Sequence, residues 1–182
     1  GRAGSVIAMD PQSGAILALV SYPAFDNNLF ARGIDTAAYQ KLVADKANPL
    51  YNRTISGEYP SGSTFKIIVA AAALEANLID PDFTVLSTGG FYINGYHFPD
   101  WKAGGHGRTN IVKALAESVN TFFYTIGGGY GDESGLGVDK IVSWGERFGL
   151  TEPTGIDLPA EAAGFLPSKE WKAKVKGERW FL

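Results

Sequence analysis

Ser63 and Lys66, in the stretch YPSGSTFK at residues 59–66, are spaced for covalent chemistry. A lysine three residues after a serine at a helix start lies on the serine's face, because helical side chains lean toward the N-terminus. The run IIVAAAAL follows at once, so the amine stands at the entrance to a buried helix. Partial burial disfavours the ammonium, and a neutral amine is a general base that can activate a hydroxyl. The backbone N–H groups at the helix start are available to an oxyanion. The same spacing also describes an N-cap serine followed by a lysine that merely snorkels to solvent.

Ser118 and Asn120 form a second pair, within Ser118-Val119-Asn120 between two helical patterns. A hydroxyl and a carboxamide two apart at a helix break converge on one side. Ser118 could relay a proton between Lys66 and a leaving group, and Asn120 could hold a peptide amide. A helix C-cap followed by an N-cap accounts for both residue types equally well.

Other chemistries fit less well. His97, Asp100 and His106 supply three possible metal ligands around a loop, with no cysteine and no evident fourth ligand. A hydrogen-bonded loop is the expectation there, and neither a metal nor a cofactor is called for. Residues 57–64 read G-x-x-x-x-G-S-T, but Ser63 stands where a P-loop has its lysine. GGGYG at 127–131 follows a helical pattern and lacks the spacing of a dinucleotide fingerprint. No G-x-S-x-G elbow ties either histidine to a serine. Phe122, Phe123 and Tyr124 read as core packing.

The elements that must position these residues are legible in outline. SVIAMD and AILALVSY around DPQSG predict a β-hairpin over residues 1–23, and the nearly unbroken apolar runs predict burial on both faces. Asp35 caps a short helix, TAAYQKLVADKA. The nucleophile helix is predicted over 63–78, apolar nearly all round and therefore central. Residues 80–168 are expected to be mainly helical, with a type I′ hairpin at Asn94-Gly95, helices over IVKALAE, TFFYTIG and LGVDKIVSWGERFG, and a proline-rich loop. SKEWKAKVKGERW closes the chain as a basic helix or turn.

At 182 residues, with 45% hydrophobic and 19% charged residues, the chain can bury a real core. A net charge of −3 and the lack of a long basic run argue against a nucleic-acid surface. No stretch approaches eighteen apolar residues, no signal peptide is visible, and cysteine is absent. The opening GRAG and the apolar ending RWFL suggest a fragment of a longer protein.

The S-x-x-K and S-x-N pairs together resemble the motif set of the penicillin-recognising serine enzymes. RAGSVIAMDPQSGAILALVSYPAFDNNLF is similar to the opening of the transpeptidase domain of class B penicillin-binding proteins. NRTISGEYPSGSTFK resembles their nucleophile segment, ALAESVNTFFYTIG their second motif, and GLTEPTGIDLPAEAAGFLP a later stretch. The likeness runs the length of the chain and is greatest to the cell-elongation branch, penicillin-binding protein 2. It implies an α/β fold, an antiparallel sheet flanked by helices. It implies Ser63 as the nucleophile acylated by D-Ala-D-Ala stem peptides and by β-lactams, Lys66 as base, Ser118 as relay and Asn120 as substrate-amide ligand. It also implies a place on the outer face of the cytoplasmic membrane and a polytopic glycan-polymerising partner. The family's K-T-G is missing; Lys176-Gly177 lacks the threonine, as expected if the chain stops before that strand. A class A β-lactamase is disfavoured by the lack of an E-x-x-x-N, while a β-lactam sensor domain shares the same site residues.

Overall fold

A computed structural model describes residues 2–180; Gly1 and the last two residues of the apolar RWFL ending lie outside the described residues. The chain separates into two compact units, Gly1–Tyr59 with Pro153–Ala163, and Pro60–Glu152 with Gly164–Leu182.

In the first unit, β1 (Gly4–Met9) pairs antiparallel with β2 (Ile16–Tyr22), with Gly4 opposite Tyr22 and a register shift at Ala8–Met9. The Asp10 carboxylate closes the turn, accepting from Gln12 N and Ser13 Oγ. The expectation of burial on both faces fails: Val6 is 65% and Leu17 73% exposed. A strand is buried on both faces only between two packed layers, and this two-stranded ribbon has none among the described residues. α1 (Thr36–Ala44) starts at Asp35, whose carboxylate accepts from Ala38 N. Arg53, buried, donates to the carbonyls of Ala47, Asn48 and Tyr51 and so fixes the bend before the nucleophile segment. Segment 153–163 is tied on by Ser56 Oγ to Ala160 O at 2.7 Å and Ala162 N to Ile55 O at 2.8 Å.

The second unit is built around α2 (Lys66–Glu75), which a 3₁₀ turn over Gly62–Phe65 introduces. The predicted helix over 63–78 is thus shorter and begins in a tighter form. Asn77, at φ +50°, ends the helical run before Leu78. Ile68, Val69, Ala70, Ala72 and Ala73 are buried, as an all-apolar helix requires, although Ile67 stays exposed. α2 packs against α3 (Ile111–Ala116), α4 (Asn120–Gly128) and α5 (Val138–Arg147). The shared core joins Val69, Ala70, Ala72 and Ala73 to Ile111, Ala114, Val119, Phe122, Phe123 and Ile126. Removing one such large side chain from water contributes about 1.5–3 kcal/mol.

Residues 80–168 hold more strand than the sequence suggests. β3 (Val85–Ser87) pairs antiparallel with β6 (Gly107–Thr109), a ribbon that spacing did not announce. β4 (Gly90–Ile93) and β5 (Tyr96–Pro99) form the expected hairpin, with positive φ at both Asn94 and Gly95. The architecture is therefore mixed helices and antiparallel ribbons. Gly149, at φ +77°, follows the Phe148 C-cap of α5 and stops the helix, as its sequence requires. Ser168 caps α6 (Lys169–Trp171), which runs on as a π turn through Lys172–Lys176.

Candidate active site

Ser63 sits exposed in the 3₁₀ turn, and Lys66 opens α2 half-buried. Ser118 and Asn120 come from the bend between α3 and α4, 52 and 54 residues beyond Lys66. That bend is a Schellman turn. Ser118 N donates to Leu115 O, and Val119 N to Ala114 O at 2.9 Å. The turn needs a left-handed residue, usually glycine, and Ser118 occupies it at φ +55°. Such backbone strain costs about 1–3 kcal/mol and tends to gather at functional sites. It lifts the serine hydroxyl off the helix axis.

Four sequence-predicted residues meet there. Lys66 Nζ donates to Ser118 O at 2.8 Å, to Ser118 Oγ at 3.0 Å and to Asn120 Oδ1 at 2.6 Å. Ser118 Oγ lies 2.9 Å from Ser63 Oγ. The direct bond expected between Lys66 and Ser63 is not formed; the path runs through Ser118. The reason is that all three hydrogen-bonding directions of Nζ are taken up by the 118–120 bend.

The three partners suit either protonation state. An ammonium donates to all of them. A neutral amine donates to the Ser118 carbonyl and Asn120 Oδ1, and turns its lone pair to the Ser118 hydroxyl. Burial pushes the Lys66 ammonium below its usual range, while the charge of Asp100 opposes the shift. Phe123 walls one side, its ring centroid 5.4 Å from Nζ.

Of the three candidate ligands, His97 stands apart from Asp100 and His106. His97 stacks on Tyr92, ring centroids 4.6 Å apart. His106 lies between two carboxylates, and among the described residues no three His, Cys, Asp or Glu side chains are grouped to hold a metal ion. Asp100 has a role that local spacing does not announce. Helix α4 has no side-chain cap of its own at Val119. The buried carboxylate of Asp100 supplies one from 21 residues away, accepting from Thr121 N at 3.1 Å and Thr121 Oγ1 at 2.9 Å. Burial alone would raise this carboxyl, but the bonds from Thr121, Trp101 and Asn120 hold it below its ordinary value.

A serine bridged to an amine at a helix start, beside a strained S-x-N bend, defines the site of the penicillin-recognising enzymes. Residues 4–178 match the penicillin binding protein transpeptidase domain, and the chain belongs to that family. It is 39% identical over 182 residues to the peptidoglycan D,D-transpeptidase MrdA of Haemophilus influenzae, covering 99% of this chain and 27% of that relative. The Pseudomonas aeruginosa PBP2 structure, solved in complex with WCK 5153, superposes with a TM-score of 0.85 at 36% identity, over 100% of this chain and 40% of that one. Helicobacter pylori PBP2, solved in complex with MreC, gives 0.87 at 34% identity, over 99% and 33%. The chain thus spans about a quarter of the curated relative, and the resemblance to the penicillin-binding protein 2 branch is borne out.

Proposed function

We propose that this chain carries the acylation half of a peptidoglycan D,D-transpeptidase site. The observation that supports it most is the Ser118 hydroxyl set between Ser63 Oγ at 2.9 Å and Lys66 Nζ at 3.0 Å. Neutral Lys66 draws the Ser118 proton as Ser118 draws that of Ser63. The Ser63 oxygen attacks the carbonyl of the penultimate D-alanine of a stem peptide. The tetrahedral intermediate collapses, the C–N bond breaks, and the terminal D-alanine amine leaves with the proton that Lys66 returns through Ser118. An acceptor amine of a second stem peptide then attacks the ester, gives its proton to Lys66 by the same path, and Ser63 recovers a hydrogen. Asn120, anchored to Lys66 by Oδ1, offers its Nδ2 side to a peptide carbonyl.

A β-lactam enters the same path but keeps its leaving amine tethered, which leaves the serine ester in place. Hydrolysis needs a base for water. Among the described residues, no carboxylate hydrogen-bonds to Ser63 or Lys66, which favours transfer to an amine over a β-lactamase reading. The parent protein is proposed to act on the outer face of the cytoplasmic membrane, beside a polytopic glycan-polymerising protein. The cell-wall activity in the relatives' names and the H. pylori relative's solution in complex with another protein support an envelope assembly. No helix among the described residues is long and apolar enough to cross a membrane.

Fluorescent penicillin tests the proposal on the full-length protein. Label should appear and should vanish in Ser63→Ala; label that survives in that variant removes Ser63 from its role. Cross-linked stem-peptide dimers, detected by mass spectrometry, separate a transpeptidase from a sensor domain, which would form the adduct and no dimers.

A further inference from the structure

His106 has no part in the proton path, yet it is fully buried and wedged between two acids. Its Nδ1 lies 2.7 Å from Glu117 Oε2, so Nδ1 must carry the proton of that bond. Its Nε2 lies 3.4 Å from Asp100 Oδ1, without a hydrogen-bond partner among the described residues. Both acids hold the bend that presents Ser118 and Asn120. Glu117 is the C-cap of α3 and immediately precedes Ser118. Asp100 caps the start of α4 through Thr121, immediately after Asn120.

The rest of the 100–106 loop grips the same bend. Trp101 Nε1 donates to Glu117 O at 3.0 Å, and the Trp101 ring stands edge-on to His106 at 5.1 Å. His106 N donates to Ser87 Oγ, which in turn lies 3.4 Å from Asp100 Oδ2. His106 O accepts from Lys113 Nζ of α3 at 2.6 Å. Gly105 must be glycine here, since a Cβ would collide with the Ser87 carbonyl. Residues on both sides of the strained Ser118 are therefore pinned to one loop, and the imidazole is bonded to one acid and packed against the other.

We propose that His106 is a positioning residue for the S-x-N motif: bonded to Glu117 through Nδ1 and packed against Asp100, it fixes the 117–121 bend, so that the Ser118 hydroxyl stays between Ser63 and Lys66. This rests on the acylation reading given above. A bend free to relax toward an ordinary backbone would carry Oγ out of line. A displacement of about 1 Å at a reacting centre costs on the order of a hundredfold in rate.

The test is stopped-flow acylation of the full-length protein by a chromogenic β-lactam, with the acylation step k2 separated from the binding constant Ks. His106→Ala should lower k2 about tenfold to a hundredfold with Ks nearly unchanged. His106→Asn, whose amide falls near the Nδ1 position and can donate to Glu117, should recover most of the loss. Should His106→Ala fail to fold, Glu117→Ala decides, because that side chain is 43% exposed and its truncation costs the core little. Wild-type k2 in the folded alanine variants would overturn the proposal. So would a loss confined to Ks, or a folded Asn variant no better than Ala. A wild type that takes up no penicillin at Ser63 would instead bring down the transpeptidase reading, and this proposal with it.

Discussion

At residue scale, the site turns on the protonation state of one amine. Lys66 is held below its usual range by burial, against the opposing charge of Asp100. Only the deprotonated form has a lone pair for the Ser118 hydroxyl, so acylation should rise with pH through the depressed pKa of Lys66. That value lies below the ordinary 10.5. Below it the ammonium predominates and the rate should fall about tenfold per pH unit. Lys66→Met should slow acylation by about 10²–10⁴ while leaving the fold intact, because the helix needs only the apolar stem. Lys66→Arg should be nearly as slow, since guanidinium does not give up its proton at these pH values. A pH–k2 profile of the wild type, with single-pH rates for the two variants, checks all three expectations. A fast Lys66→Arg would remove proton abstraction from the role of residue 66. The residue types at this site were legible in the sequence because S-x-x-K and S-x-N are local patterns. Their convergence across 52 to 55 residues was not, and it entered only through resemblance to a family. The role of Asp100 was invisible for the same reason: a cap supplied from 21 residues away leaves no trace in local spacing.

At element scale, the α3–α4 bend shows structure and function pulling apart. A Schellman turn favours glycine at its left-handed position, and the chain places Ser118 there at φ +55°. Ser118→Gly should therefore stabilise the protein by about 0.5–1 kcal/mol while lowering k2 by a hundredfold or more. Ser118→Ala should lose the same rate and gain no stability, since alanine bears the same left-handed penalty. Urea unfolding of the two variants reads the difference, and equal midpoints would show that the bend is not strained. Elements with local signals were read well from the sequence: the Asn94-Gly95 hairpin, the Asp35 cap and the Gly149 stop. The β3–β6 ribbon was not, because three-residue strands 20 positions apart have no periodicity to detect. Nor was the 3₁₀ start of the nucleophile helix, whose residues suit an α-turn equally well.

At the scale of the whole molecule, hydropathy says which surfaces want burial but not what covers them. The apolar runs of β1 and β2 read as a two-sided core, yet among the described residues most of their side chains stay exposed. Buried charge is a different case, since its stabilisation can be followed by titration. Asp100 carries a carboxylate whose pKa burial would raise and whose hydrogen bonds from Thr121, Trp101 and Asn120 bring below the ordinary 3.8. A carboxyl with a depressed folded pKa binds fewer protons folded than unfolded. Its contribution is fully present above 3.8 and is lost as pH falls through the lower, folded value. Asp100→Asn keeps the side chain's shape but removes the charge at the α4 N-terminus and turns an amide toward Thr121. It should cost about 1–3 kcal/mol at neutral pH. The gap between wild type and variant should then close as the buffer is taken below pH 3.8, because the wild type loses what the variant never had. Denaturant unfolding of both proteins at pH 7, 5 and 3 measures this. A gap that stayed constant across the three would assign the stabilisation to packing around residue 100, and the carboxylate would no longer account for how the second motif is held.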